Sequence, residues 1–322
     1  MKKYNNINWE KLANEYLEGE ISLTKMSEKY NIGRWTLTDR FKKLGIDIVN
    51  KQNELKFDNT VFDSIDTEEK AYWLGFIFAD GYITSYEEVT QKSRYLLEIS
   101  LKGSDKHHLD KFNSFMKHKN KNQVKIEKAT CGNSETTRCR WYVANKHLWE
   151  ILNSYGCTPK KSLTLKFPNK EIFKDESLIR HFIRGYFDGD GCLSRHLSKH
   201  TVIPIVEVIG TPEFLNFIEK YSNIYGSRSK DKRWKHNTEY IKFRKEDAIK
   251  FINYIYNNSN IYLDRKHRLY EFFKDGSRSL QEWNELLQTE NGEVCDDNPV
   301  LNSEIKKSES VYSVEIEPEK SE

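Results

Sequence analysis

The sequence has few cysteines and prolines, five and six respectively in 322 residues. The cysteines are Cys131, Cys139, Cys157, Cys192 and Cys295. Their odd number and the lack of any CxxC pair argue against a disulfide framework and a zinc ribbon. Cys192, His196 and His200 have no fourth ligand type nearby, so we interpret them as polar surface and not as a zinc site.

Long apolar runs are also missing. No stretch approaches the roughly 20 apolar residues that a membrane helix needs. The N-terminus, "MKKYNNINWEKL", has no apolar signal core. We therefore expect no membrane partner and an intracellular protein that is not secreted, either cytoplasmic (prokaryotic or phage-encoded) or organellar.

The chain has no large excess of one sign of charge, since its formal net charge is only +3. Its distribution is uneven. Residues 291–322 hold nine acids and three lysines, a net of −6, so residues 1–290 carry the difference, +9. A basic body with an acidic tail suits a polyanion partner.

A helix-turn-helix pattern lies near the N-terminus, in "KMSEKYNIGRWTLTDRFKKLGI". Two helical stretches flank a turn at Gly33, and the second helix of such a unit enters the major groove. The expected core is Met26, Tyr30, Ile32, Leu37, Phe41 and Leu44. The expected DNA-facing residues are Arg34, Trp35, Thr36, Thr38 and Arg40. The pattern resembles resolvase-like helix-turn-helix domains, and a three-helix packing unit without a DNA role stays open.

The central region contains a duplication. "EEKAYWLGFIFADGYI" at 68–83 matches "LIRHFIRGYFDGDGCL" at 178–193, with an offset of 110 for Gly75–Gly185 and Asp80–Asp190. Two further landmarks follow in the same order, pairing Glu98 with Glu207 and Lys161 with Lys266. So long a period indicates two copies of one unit related by a pseudo-two-fold axis, and not a solenoid.

Small residues recur four apart on each repeated helix, at Gly75 and Ala79 and again at Gly185 and Gly189. Missing side chains allow close helix packing, so these four residues are the predicted helix interface. The glycine that follows each Asp is expected to take the left-handed conformation that ends a helix.

If these helices pack around a dyad, their C-terminal ends bring Asp80 and Asp190 together. Helix C-termini are already negative, and two acids there repel each other, so a divalent cation is the natural partner. Mg²⁺ prefers oxygen ligands, commonly one or two carboxylates with water and phosphate oxygens. The pattern therefore predicts metal-dependent phosphate chemistry. A plain Asp-Gly turn is the simpler alternative, and an aspartic protease is disfavoured because no Asp-Thr-Gly occurs.

The segments "WLGFIFADG" (73–81) and "IRGYFDGDG" (183–191) resemble the signatures of the LAGLIDADG homing endonuclease family, in its two-motif, monomeric form. The resemblance spans about residues 67–276. It implies an α+β fold of two pseudo-symmetric αββαββα repeats, here behind a small all-α helix-turn-helix domain. It also implies catalytic and metal-binding roles for Asp80 and Asp190. Asp188 keeps an acid that many members carry, where the first copy has Phe78.

The resemblance further implies a catalytic lysine near the third helix of each half. We assign Lys161 and Lys266, with Lys160 and Arg265 as adjacent alternatives.

The predicted domains are a helix-turn-helix domain (1–46), a linker (47–66), a first repeat (67–172) and a second repeat (173–276). Residues 277–322 are expected to form a helical extension and a disordered acidic tail.

DNA contacts are expected from polar residues of the strand pairs, because a two-stranded ribbon fits the major groove. The candidates in the first repeat are Thr84, Tyr86, Gln91, Lys92, Arg94, Arg138 and Arg140. Those in the second repeat are Arg195, His196, Lys199, Arg228, Lys230, Arg233 and Lys235.

Together these features predict a site-specific endonuclease that cuts double-stranded DNA at a long asymmetric target. It would act as a monomer with Mg²⁺, for which Mn²⁺ could substitute, and would derive from a mobile genetic element. Two alternatives stay open. One is a DNA-binding transcription regulator that does not cut, and the other is an intron RNA maturase, so RNA binding is not excluded.

Overall fold

The computed structural model describes residues 7–17, 21–46, 56–87, 93–131, 134–161, 164–230 and 238–289. The chain divides into two compact units, Met1–Lys56 and Phe57–Glu322. The acidic tail predicted at 291–322 lies outside the described residues. Of the helices in the described ranges, none combines the length and apolar character that crossing a membrane requires.

The N-terminal unit contains three helices: α1 (Trp9–Leu17), α2 (Leu23–Tyr30) and α3 (Arg34–Lys43). The hydroxyl of Ser22 caps the start of α2 by accepting from the backbone N of Lys25 at 3.3 Å. Asn31 ends that helix in the left-handed conformation, at φ 52°.

Most of the predicted core of this unit is buried, namely Met26, Ile32, Leu37 and Phe41. Two residues differ from expectation. Tyr30 is only half-buried, because its hydroxyl reaches the carboxylate of Glu15 at 2.8 Å. Leu44 is 46% exposed because it follows the last turn of α3.

The first repeat begins with α4 (Glu68–Asp80), followed by β1 (Gly81–Glu87) and β2 (Ser93–Lys102). Helix α5 (Lys106–Phe115), strands β3 (Lys125–Cys131) and β4 (Ser134–Ala144), and helix α6 (Lys146–Ser154) complete it. The strands form an antiparallel sheet in the order β1-β2-β4-β3.

The second repeat has the same order of elements. It contains α7 (Ile179–Asp190), β5 (Gly191–Ser198), β6 (Thr201–Gly210), α8 (Pro212–Ser222), β7 (Ser227–Lys230), β8 (Glu239–Arg244) and α9 (Glu246–Tyr256). Its strands are antiparallel in the order β5-β6-β8-β7. The predicted α+β fold is confirmed: two αββαββα repeats follow a small helical region in the sequence.

A C-terminal extension follows the second repeat. It comprises α10 (Asp264–Phe273), the short strand β9 (Arg278–Ser279) and α11 (Leu280–Thr289). Strand β9 pairs with β6 and adds a fifth strand to the second sheet.

Each sheet has one buried and one accessible face, as alternating sequence predicts. On β2, Leu97 and Ile99 are buried while Glu98 and Ser100 lie on the other face. On β6, Val206 and Val208 are buried while Glu207 is half-buried. One hydrophobic core joins the buried faces of both sheets to α4 and α7.

Helices α4 and α7 pack through glycine in a two-fold pattern. A Cβ added to Gly75 would lie 2.0 Å from the carbonyl oxygen of Phe182. One added to Gly185 would lie 1.9 Å from the carbonyl oxygen of Tyr72. Tyr72 and Phe182 occupy matching positions in the two repeats. The two contacts are therefore symmetric, and each requires the absence of a side chain.

The glycines after the two helices differ from expectation. Gly81 (φ −72°) and Gly191 (φ −94°) are not left-handed and begin strands β1 and β5 directly. They are required for space, since a Cβ would meet the carbonyl oxygen of Ile77 at 2.5 Å and the ring of Phe187 at 2.1 Å. The chain thus turns from helix to strand without the expected left-handed residue.

Candidate active site

Helix α4 carries Asp80 at its C-terminal end. The hydroxyl of Thr67 caps its start by accepting from the backbone N of Lys70 at 3.3 Å. Residues 71–79 are all buried, and Asp80 at the last position is half-buried. Asp190 ends α7 in the same way, with the same degree of burial.

The pair of acids meets where the two helices end. A Cβ on Gly189 would lie 2.4 Å from the Cβ of Ala79 and 3.1 Å from Oδ2 of Asp80. Ala79 and Gly189 are matching positions of the two repeats. The Asp80 carboxylate therefore lies directly against the residue that precedes Asp190.

The protonated forms of both carboxyl groups are favoured in this environment. Burial, and then repulsion by Asp190, raises the pKa of Asp80 to about 7. Burial also raises the pKa of Asp190, against the opposing effect of Lys161 and Lys266. Two neighbouring buried carboxyl groups whose pKa values are both raised form a site where a bound cation would favour the ionised forms.

Lys161 and Lys266 occupy equivalent places beside these acids. Nζ of Lys161 donates to the carbonyl oxygens of Ala79 at 2.8 Å and Gly81 at 2.5 Å. Nζ of Lys266 donates to the carbonyl oxygens of Phe187 at 2.8 Å, Asp188 at 3.0 Å and Gly191. Each ammonium group thus binds the negative end of one signature helix.

The adjacent alternatives lie in other surroundings. Lys160 is exposed at a left-handed turn with φ 59°. Nε of Arg265 lies 3.2 Å from Oδ2 of Asp105. The matching contacts with the two helix ends therefore favour Lys161 and Lys266 over their neighbours.

The candidate ligands at this site are carboxylate oxygens, the donor type that hard divalent cations prefer. The described residues contain no group of three or more His, Cys, Asp or Glu side chains that could hold a metal ion. Asp80 and Asp190 could provide the two carboxylates, with water and phosphate oxygens as the other ligands, which is a common arrangement for Mg²⁺.

Asp188 has a different role from its neighbour Asp190. It is buried, and its carboxylate accepts from the hydroxyl of Tyr72 at 2.7 Å, the hydroxyl of Tyr256 and the backbone N of Leu263 at 2.7 Å. Donors from both repeats and from the segment before α10 therefore engage it. The sequence marked Asp188 as an acid but gave no sign of these partners, which are distant along the chain.

A second buried network, at Arg184, was not predicted. Its guanidinium donates to the carbonyl oxygens of Ile255 and Ile261, each at 2.9 Å, and to Glu68 at 2.7 Å. Glu68 also accepts from the backbone N of Asn260 at 2.7 Å. The available signal was a charged residue one position before the interface glycine Gly185.

The accessible face of the first sheet carries the predicted residues Thr84, Arg138 and Arg140. Both arginines contact acids: Arg138 contacts Glu127 at 2.9 Å and Arg140 contacts Glu98 at 2.6 Å. Gln91 and Lys92 lie outside the described residues, as do the side chains of Tyr86 and Arg94.

On the second sheet, Arg195 departs from the prediction. It is 7% exposed and its guanidinium lies 4.2 Å from the ring centroid of Trp283. The extension α11 covers it, so it is not offered to a DNA groove in this structure. The sequence could not reveal this, because Trp283 follows 88 positions later.

The remaining candidates of the second sheet are accessible or half-buried. His196 and Lys199 are exposed at the tip of the β5–β6 hairpin. Arg228 contacts Glu219 at 2.5 Å, and Lys230 contacts Glu239 at 3.9 Å. Arg233 and Lys235 lie outside the described residues.

In the separate N-terminal unit, the predicted DNA-facing residues of α3 are accessible to different degrees. Trp35 is 79% exposed and Arg34 and Arg40 are exposed, while Thr36 and Thr38 are half-buried. Arg40 lies over the ring of Trp9, 5.5 Å from its centroid.

Comparison with known proteins shows that part of the chain is similar to a known family. Residues 177–256 match a family model described as a LAGLIDADG-like domain. These residues run from the start of α7 to the end of α9. The predicted resemblance to the LAGLIDADG family is thus confirmed over this stretch of the chain.

Several solved structures are also similar. A lysine-to-alanine mutant of I-SmaMI is 14% identical, with 76% of this chain and 98% of that chain covered and a TM-score of 0.43. The LAGLIDADG meganuclease I-AabMI bound to uncleaved DNA is 13% identical (63% and 91% covered, TM-score 0.40). A mesophilic variant of the homing endonuclease I-DmoI is 17% identical (63% and 99% covered, TM-score 0.41). No curated protein matches the chain.

Proposed function

We propose that this protein is a site-specific endonuclease that hydrolyses both strands of duplex DNA with a divalent metal ion. The observation that carries this proposal is the pair formed by Asp80 and Asp190. Two glycine-packed helices of matched repeats end side by side, and each ends on a carboxyl group whose pKa is raised by burial. A structural role would be better served by uncharged residues at these positions.

The site residues divide the work between metal binding and charge stabilisation. Asp80 and Asp190 would hold Mg²⁺, or Mn²⁺ in its place, once both are ionised. The metal would polarise the attacking water and the scissile phosphate. Lys161 and Lys266 place positive charge beside the carboxylates, where it would stabilise negative charge developing on the phosphate.

The two sheets are the proposed DNA interface. Each presents an accessible face that continues directly from an active-site aspartate, through Gly81 into β1 and through Gly191 into β5. Because the two faces carry different side chains, the recognised sequence is asymmetric. One chain supplies both halves, so a monomer suffices.

The N-terminal unit is a proposed second DNA contact. Helix α3 exposes Arg34, Trp35 and Arg40 on a small domain with its own core. A recognition helix that reads additional bases would lengthen the target.

Selection of cleaved sites from a random duplex library in Mg²⁺ tests the proposal. The wild-type chain is compared with Asp80→Asn, Asp190→Asn and the control Asp247→Asn, an exposed acid on α9. We expect one long asymmetric site to be cut by the wild type and the control only.

A different outcome would favour the regulator. Enrichment of a sequence by binding alone, without cleavage in Mg²⁺ or Mn²⁺, would overturn the endonuclease and leave a DNA-binding protein on the same fold.

A further inference from the structure

Carboxylates pair with cations on the accessible faces of both sheets. In the first sheet, Arg140 contacts Glu98 at 2.6 Å and Glu127 at 3.9 Å. Glu127 also contacts Arg138 at 2.9 Å. Two arginines that the sequence predicted as DNA contacts are therefore already engaged by acids of their own sheet.

The second sheet repeats this arrangement with other residues. Lys242 forms an ion pair with Glu207, its direct neighbour across β6 and β8. Arg228 also contacts acids, Glu219 at 2.5 Å and Glu239 at 3.5 Å, but it pairs in register with the buried Ile241 and so belongs to the other face of this sheet. The pairing is thus common to both halves, although the cation beside the equivalent glutamate is arginine in one and lysine in the other.

Glu98 and Glu207 hold equivalent positions next to the candidate active site. Glu98 pairs in register with Tyr82, two residues after Asp80. Glu207 pairs in register with Cys192, two residues after Asp190. An acid at this place on both sheets is unexpected for a surface that must approach phosphates.

Stability does not explain these two acids. The side chains of Glu98 and Arg140 are 18% and 30% exposed, and those of Glu207 and Lys242 are 21% and 28% exposed. Partly exposed pairs of this kind contribute little to the free energy of unfolding. We therefore ask how these ion pairs would affect the binding of DNA to the surface.

We propose that Glu98 and Glu207 are specificity residues that neutralise Arg140 and Lys242 against nonspecific DNA. The inference rests on the proposed function. A nonspecific duplex offers only phosphates to this surface. Each phosphate must displace a carboxylate from Arg140 or Lys242 before it can form an ion pair with that side chain. A target that places a hydrogen-bonding base edge against the pair gains contacts that compensate for the displacement.

The predicted signature is a change in salt dependence. Each cation that neutralises a phosphate releases counterions and steepens the plot of log affinity against log salt by about 0.9. Freeing Arg140 or Lys242 should therefore steepen the slope by about 0.9, and freeing both by about 1.8. At physiological salt the same effect tightens nonspecific binding by about fivefold for each cation.

The test compares full-length wild type with Glu98→Gln, Glu207→Gln and the double variant. Binding to a short mixed-sequence duplex is measured by fluorescence anisotropy over a salt series, in EDTA to prevent cleavage. Glu150→Gln is the matched control, because Glu150 contacts Lys146 at 3.5 Å on α6 and has the same charge change. Circular dichroism verifies that each variant is folded.

We expect tighter binding and a steeper slope for both sheet variants, additive in the double variant, and no change for Glu150→Gln. If the sheet variants have the same salt-dependence slope as the wild type, or bind more weakly, the inference is overturned. Duplex binding by the wild type would in that case still support a DNA-binding function. If neither the wild type nor any variant binds duplex at low salt, the inference and the proposed function both fail.

Discussion

The two signature helices share one backbone arrangement but differ in what they bury. In α4 the positions that match Arg184 and Asp188 hold Leu74 and Phe78, and all four side chains are buried. Arg184 and Asp188 of α7 form hydrogen bonds with residues distant in the sequence, whereas Leu74 and Phe78 of α4 pack in the hydrophobic core. The glycine contacts are the same in both halves, so close packing, and not the chemistry of the buried side chains, defines the interface.

The two sheets differ as well. The second sheet has an added strand β9 and a covering helix α11, whose Trp283 buries Arg195. Among the described residues, the first sheet has the four strands of its own repeat and no added strand. The two sheets therefore differ in strand number, whereas the glycine contacts between α4 and α7 are the same in both repeats.

The largest expected effect tests whether the halves share one chemical step. Asp80→Asn and Asp190→Asn should each slow cleavage of both strands about a thousandfold or more, because the two carboxylates occupy one site and several kcal/mol of charge stabilisation are lost. Strand-specific end labels on a selected target measure this. Loss confined to one strand would instead indicate two independent sites.

Removing the buried charge of α7 should distinguish the halves by stability. Arg184→Leu introduces the residue found at position 74 and leaves Glu68 without its guanidinium, at a cost of about 3–4 kcal/mol. Leu74→Met, the control in α4, should cost less than about 1.5 kcal/mol. Urea unfolding measures both, and equal costs would contradict the asymmetry of the two networks.

The glycine contacts should instead respond symmetrically. Gly75→Ala and Gly185→Ala each force a Cβ to within 2.0 Å of a backbone oxygen, so each should lower the free energy of unfolding by about 1–3 kcal/mol. Gly210→Ala is the control, since its Cβ would meet a leucine methyl at 3.3 Å, which can move. If only one of the two helix variants is destabilised, the pseudo-two-fold packing does not hold.

The smallest expected effect concerns pH and the pair of acids. The pKa of Asp80 is raised from 3.8 to about 7, so the folded state binds its proton more tightly than the unfolded state does. The resulting contribution to the free energy of unfolding is fully present below pH 3.8 and is lost as the pH rises through 7. Asp80→Asn should therefore be more stable than wild type at pH 8, by about 1–2 kcal/mol, and equally stable near pH 4. Thermal unfolding at both pH values measures this.

Added Mg²⁺ provides the companion measurement. At pH 8 it should raise the melting temperature of the wild type, since it relieves repulsion between Asp80 and Asp190, and leave Asp80→Asn nearly unchanged. If Mg²⁺ raises the melting temperature of Asp80→Asn as much as that of the wild type, the metal binds elsewhere.

Much of the architecture was predictable because it has a local signal. Apolar helical runs that end on Asp-Gly, alternating strands and a 110-residue offset are each visible within one segment or between two. Gly75 and Gly185 were predicted as interface residues on that basis, and the structure places each against the opposite backbone. The conformation of Gly81 was not predictable in this way, because it depends on crowding by Ile77 and on the strand that begins there.

By itself the sequence determined the repeat, the small residues that let two helices approach, and the aspartates at their ends. Only the tertiary structure decided which charged residues became buried partners and which cations of the sheets are already neutralised. Arg184 reaches Glu68 across 116 positions, and Arg140 reaches Glu98 across 42. Such pairs arise when distant segments fold together, and since either partner alone resembles ordinary surface charge, no local pattern can reveal them.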